Sequence, residues 1–128
     1  MPITYTIDHD RKLITEVWSG DVRAEDLAAY WKGMLSDPDV LAIRRTVVDL
    51  RQAGILFTGL QLRELIQGIV IPTLQGKDWK TALVVERPAQ HGASRQYQVF
   101  ASLYSNDAIF YGVEEAYKWL CGLKSEKK

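Results

Sequence analysis

The sequence predicts an α/β domain, a mixed sheet of about five strands with helices packed against it. Three observations predict it. Two short stretches of alternating apolar and polar residues at the N-terminus flank a polar turn, the mark of an antiparallel hairpin. Further along, apolar runs such as Val47-Val48 and Ala82-Leu83-Val84-Val85 take turns with stretches of three- and four-residue apolar periodicity. No repeat, low-complexity tract or linker divides the chain, so residues 1–123 read as one domain and 124–128 as a charged tail.

The hairpin comes first. Ile3, Tyr5 and Ile7 alternate with Thr4 and Thr6, a period of two in β-forming residues. Asp8 to Lys12 is the polar turn, and Leu13 to Trp18 is the second strand, closed by Gly20-Asp21. A helix over Arg23 to Ser36 follows. Asp21 is its expected cap, and Glu25 and Asp26 in the first turn suit the positive end of the helix dipole. Leu27, Tyr30, Trp31, Met34 and Leu35 make its apolar stripe. Tyr30 and Trp31 are adjacent, so one of them is expected to face outward in an exposed apolar patch. Asp37-Pro38 stops the helix, because a residue before proline avoids helical dihedrals.

The third strand spans Ile43 to Leu50, nearly continuously apolar as a strand covered on both faces should be. Arg51 to Gly54 is its exit loop. The second helix runs from Thr58 to about Val70, where Pro72 ends or kinks it. Thr58 and Gln61 stand in capping-box spacing. Lys80 to Glu86 is the fourth strand, Gly92 to Tyr104 the third helix, Ala108 to Tyr111 a short fifth strand and Val113 to Cys121 the last helix. The predicted order is β-β-α-β-α-β-α-β-α, with a parallel central sheet.

Composition narrows function. Sixteen basic residues balance sixteen acidic ones, so no global field recruits nucleic acid. No apolar run reaches the roughly 20 residues that a membrane-spanning helix needs, and no secretory signal is visible. The single cysteine, Cys121, suits a reducing compartment, and a cytoplasmic protein is expected. His9 and His91 lack metal-ligand spacing, and no Gly-rich phosphate loop follows a strand. Cys121 at core spacing reads as packing, and no nucleophile elbow occurs. No cofactor, no metal site and no catalytic residue are expected.

One polar cluster stands out. Ligands of parallel sheets meet the carboxyl ends of the strands. Asp49 and Arg51 leave the third strand there, and Arg87 leaves the fourth. Thr58, His91 and Arg95 lie at or near the starts of the following helices. These six residues form the candidate binding site, suited to a small anionic ligand at a helix N-terminus. The bland alternative is a local Asp49–Arg51 salt bridge and loop hydrogen bonds. An acid–base pair of Asp49 and His91 is the enzymatic alternative. An apolar cavity lined by Tyr30, Trp31, Tyr97, Phe100 and Tyr104 is the lipid-carrier alternative.

A hairpin, a helix ending Ser36-Asp37-Pro38, a strand ending Val47-Val48-Asp49-Leu50-Arg51 and a helix start at Thr58-Gly59-Leu60 together resemble the SpoIIAA-like family of the STAS superfamily, small bacterial proteins. Lys80 to Val85, Ser94 to Tyr97 and Ala116 to Leu120 extend the resemblance over nearly the whole chain. It implies a SpoIIAA-like, STAS-like fold and a non-enzymatic regulatory role. The partner would be a protein, a second copy of the chain, or a small apolar or anionic ligand. Similar sequences are often grouped with lipid-binding relatives of CRAL-TRIO type. Anti-sigma-factor antagonists carry a phosphorylated serine in a D-S-S-G-L motif at this helix start. Here Gly59 and Leu60 match it, Leu56 and Phe57 replace the aspartate and first serine, and Thr58 is the one remaining phospho-acceptor. Its capping duty accounts for that hydroxyl without phosphorylation.

Overall fold

A computed structural model describes residues 2–122. Met1, Leu123 and the charged stretch 124–128 lie outside the described residues.

The hairpin forms as its alternation predicts. β1 (Ile3–Asp8) pairs antiparallel with β2 (Leu13–Val22), with Ile3 opposite Trp18 and Tyr5 opposite Glu16. β2 runs four residues past Trp18 and pairs in parallel with β3 (Arg45–Ile55). Arg51 to Gly54, expected as an exit loop, is therefore strand. A register shift opposite Val17–Ser19 lets the chain continue. Such a bulge changes the alternation, and Leu50 and Ala53 both point into the core because of it. β4 (Trp79–Val84) and β5 (Ser105–Phe110) add in parallel, and strand order follows chain order, β1-β2-β3-β4-β5.

The helices differ more from expectation. α1 (Ala24–Met34) starts after Arg23, whose backbone N–H donates to Asp26. Asp21 does not cap it. Pro38, expected to be only a stop, is the first residue of a short helix, α2 (Pro38–Ile43). Proline is tolerated there because that N–H has no intrahelical partner, and the Asp37 carboxylate accepts from Asp39 N. α3 (Gly59–Leu65) begins at the predicted Thr58 capping box, with Thr58 Oγ1 accepting from Gln61 N and Gln61 Oε1 from Thr58 N.

Pro72 does not end the helix near Val70. The chain widens into a π-turn (Ile66–Val70), where Ile71 N bonds Ile66 O, and then continues as α4 (Ile71–Leu74). The wider turn accommodates a ring that has no N–H to give and that would strike a carbonyl one turn back. α5 (Pro88–Ala101) starts four residues before the expected Gly92, again with proline at its first position. α6 (Val113–Leu120) closes the described chain.

The crossover helices share one face of the sheet and α6 takes the other. The larger core, under α1 and α3 to α5, includes Ile14, Trp18, Leu27, Val48, Ile66 and Leu83. The smaller, under α6, joins Leu13, Val47, Ala82, Val84, Ala116 and Leu120. Tyr30 and Trp31 are both buried, against the expectation that one would face outward. α1 sits between two neighbours: Tyr30 meets Tyr5 of β1 edge-on, and Trp31 meets Tyr97 of α5. No described helix is long and apolar enough to cross a membrane.

Candidate functional site

The strand-end cluster assembles only in part. Asp49 and Arg51 form an ion pair, with Arg51 Nη2 at 2.9 Å from Asp49 Oδ2 and Arg51 Nε at 3.0 Å from Oδ1. Burial pushes the Asp49 carboxyl up, but Arg51 more than offsets it and holds the pKa below the usual value. Arg87 reaches back to the carbonyls of Arg51 and Ala53 at 3.4 and 3.3 Å. Thr58 is spent on its helix cap. His91 lies within α5, ahead of neither helix nor strand, and its ring stacks on Tyr111 at 6.0 Å. Arg95, also inside α5, borders a shallow groove with Gln98 and Asp107. Asp49, Arg51 and Arg87 therefore meet, and Thr58, His91 and Arg95 each serve a different place. Asp49 engages Arg51 and His91 engages Tyr111, so each half of the expected acid–base pair has its own neighbour.

The residue that organises this edge escaped the sequence reading. Gln90 is buried in α5. Its Oε1 accepts from the backbone N–H groups of Glu86 and Arg87, and its Nε2 donates to the carbonyls of Arg51 and Ala53. One amide thus ties the end of β3 to the turn after β4. It sits three residues after the helix N-cap, the position from which a Gln side chain reaches back.

A second region lies between the sheet and the helix layer. Alternation directs Thr46, Val48 and Leu50 to this face and Asp49 away from it. Their face forms the floor of a cavity of about 60 Å³. β2 contributes Glu16 and Trp18, and β4 contributes Trp79, Thr81 and Leu83. Trp31 and Met34 of α1, Leu62 of α3 and Val70 of the π-turn wall it. Ser94 and Tyr97 of α5 complete the roof. Of the residues expected to line an apolar cavity, Trp31 and Tyr97 do so. Tyr30, Phe100 and Tyr104 are instead packed in or against the core around it.

The cavity is apolar with polar groups set into it. Trp18 Nε1 donates to Glu16 Oε2 at 2.7 Å. Burial pushes the Glu16 carboxyl up to about 7, although Trp18 and the Tyr30 hydroxyl favour its charged form. The Tyr30 hydroxyl lies beside Glu16 and is buried without a hydrogen-bond partner. Ser94 Oγ and Trp79 Nε1 are also buried without a partner. One row further along the sheet, Thr46, Thr81 and Asp107 stand side by side by register. Asp107 accepts from Ser105 through Oδ1, its Oδ2 has no partner, and burial pushes its carboxyl up to about 6. Tyr97 lies between the acids. Burial raises its pKa, and the charges of Asp107 and Glu16 raise it further. Unsatisfied buried polar groups are uncommon and costly, so several around one cavity require a physical reason. The sequence carried a signal for Glu16: it alternates with Ile14 and Trp18, both core residues, which places a charge on the buried face of β2.

No family model matches the sequence, and no curated protein matches it. Among solved structures, the chain is similar to an uncharacterized protein from the DUF3478 family with a SpoIIAA-like fold from Shewanella loihica PV-4. The TM-score is 0.66, 16% of residues are identical, and 93% of each chain is covered. At that identity the likeness establishes the fold. The chain has a SpoIIAA-like fold, as its motifs implied.

Proposed function

We propose that this chain is a non-enzymatic binding module that holds a small, mainly apolar ligand between its sheet and its helix layer. The cavity carries the reading. It is walled by indole, phenol and aliphatic side chains, and buried polar groups without partners sit at it. Binding sites for small molecules combine an apolar wall with a few polar groups in this way. The volume is well under half of the roughly 150 Å³ that benzene fills, so it suits a ligand of a few heavy atoms rather than a ring or a long acyl chain. The reading goes with a cytoplasmic setting, as the single cysteine suggests, and with the bacterial source that the family resemblance implies.

Native mass spectrometry of gently purified protein tests the proposal. A co-purified small molecule is expected in the wild type, and it should disappear when Ser94→Leu fills the roof. A clean apo mass for the wild type, with no small apolar probe binding afterwards, would sink it.

A second reading has its own observation. Leu56 and Leu60 flank the Thr58 cap and are 46% and 63% exposed. Such side chains beside the Arg51 edge suit a protein partner. Leu60→Glu should then abolish partner capture without altering cavity binding. If capture survives the charge, this surface is not the contact.

A further inference from the structure

Glu16 stands alone in a particular sense. No Lys, Arg or His is paired with it among the described residues, where the one salt bridge is Asp49–Arg51. The ionisable groups that face it are all neutral or acidic: Tyr5 opposite it in β1, Tyr30 from α1, Tyr97 from α5 and, beyond Tyr97, Asp107 of β5. Its one hydrogen bond comes from an indole. The three basic residues of the strands turn elsewhere: Lys80 Nζ lies over the Trp119 ring on the α6 side, Arg45 bonds the carbonyls of Arg11, Lys12 and Leu120, and Arg51 pairs with Asp49.

The cavity thus presents an acid without a counter-ion, enclosed by aromatic faces. Trp18, Trp31, Trp79, Tyr97 and Phe57 all line it. Aromatic faces attract cations through the ring quadrupole, most strongly where water is excluded. A buried carboxylate is stabilised by an opposite charge and hydrogen bonds, and this one has neither in full. Ser94 Oγ, buried and unpartnered in the roof, can accept a further N–H.

From this geometry we infer that the cavity takes a small organic amine in its protonated form, the ammonium paired with Glu16 and the hydrocarbon part against the indoles. The inference rests on the binding reading above and adds the chemical class of the ligand. Trp79 Nε1, the other unpartnered cavity group, is a donor, and an amine that also bears a hydroxyl would satisfy it.

The pairing predicts a pH dependence. An alkylammonium stays protonated up to about pH 10. Glu16 in the empty cavity holds its proton up to about pH 7, so the amine must displace that proton at lower pH. Affinity should fall about tenfold per pH unit below pH 7 and level off above it.

Three probes small enough for the cavity separate the outcomes: ethylamine, ethanol and acetate, titrated at pH 8 with tryptophan fluorescence as the readout. Ethylamine is expected to bind at least about tenfold tighter than ethanol, with acetate weakest. Glu16→Gln keeps the shape and should erase the preference for the amine while leaving ethanol affinity unchanged. The wild-type series does not depend on that variant folding. Equal or better binding of ethanol or acetate would overturn the amine assignment and leave the cavity reading standing. An amine preference that survives Glu16→Gln would overturn the role of Glu16. No binding of any probe would overturn both readings.

Discussion

Gln90 and Ser94 sit one turn apart on α5, each 1% exposed, and their polar atoms fare differently. Gln90 makes four hydrogen bonds to backbone groups of β3 and of the turn after β4. Ser94 makes none with its hydroxyl. The same helix closes the sheet edge with its first turn and roofs a cavity with its second. At the edge, the polar groups expected to bind a ligand are largely used up in holding the fold: Asp49 by Arg51, Arg87 by carbonyls, Thr58 by its cap. Under the roof, polar groups are buried and left open. A cluster of charged residues at strand ends is therefore weaker grounds for a site than a few unsatisfied atoms in an apolar hollow.

Substitutions in the two regions should behave in opposite ways. The largest effect is expected at the edge. Gln90→Leu strands the N–H groups of Glu86 and Arg87 and removes donors from two carbonyls, and should cost about 3–5 kcal/mol in urea unfolding. A cost below about 1 kcal/mol would mean that water replaces the amide and that the edge is not closed.

In the cavity, Glu16→Gln should stabilise the protein, and only above a certain pH. The unfolded chain loses this proton near 4.5, whereas the folded chain keeps it to about 7. Stability is therefore lost as pH rises across that window, by about 3 kcal/mol in total, and stays lower above it. Thermal melts at pH 4 should show variant and wild type alike, and melts at pH 8 should show the variant more stable. A variant less stable at pH 8 would mean that the carboxylate is compensated in the fold.

Thr58→Ala should cost about 1 kcal/mol through its cap. Loss of binding without loss of stability would instead point to a surface role for that hydroxyl. The smallest change is expected at Ser94→Ala, which removes a buried hydroxyl with no partner and should leave stability equal or higher by less than about 1 kcal/mol. A clear destabilisation would reveal a hydrogen bond to ordered water.

Much of the fold was legible in the sequence because the signals were local. Strand alternation, the Thr58–Gln61 box and the β-β-α-β order need only neighbours. The misses came where proline carries two meanings. Pro38 was read as a stop and is a helix start, and Pro72 was read as an end or a kink and is absorbed by a π-turn. The sequence cannot rank those outcomes, because packing of the flanking turns decides them. The candidate site was less legible. Charged residues near strand ends draw attention whether or not they are already paired. The cavity depends on how Trp31, Val70 and Ser94 from separate helices leave space above Glu16, which no spacing in the chain reveals. Glu16 was the one visible sign, a charge in phase with Ile14 and Trp18.

The most direct measurement is a ¹³C NMR titration of the Glu16 side-chain carboxyl, free and saturated with ethylamine. A midpoint near pH 7 in the free protein, falling by about one unit or more with the amine bound, is the predicted result. A midpoint near 4.5 in the free protein, or one that the amine does not move, would contradict the account.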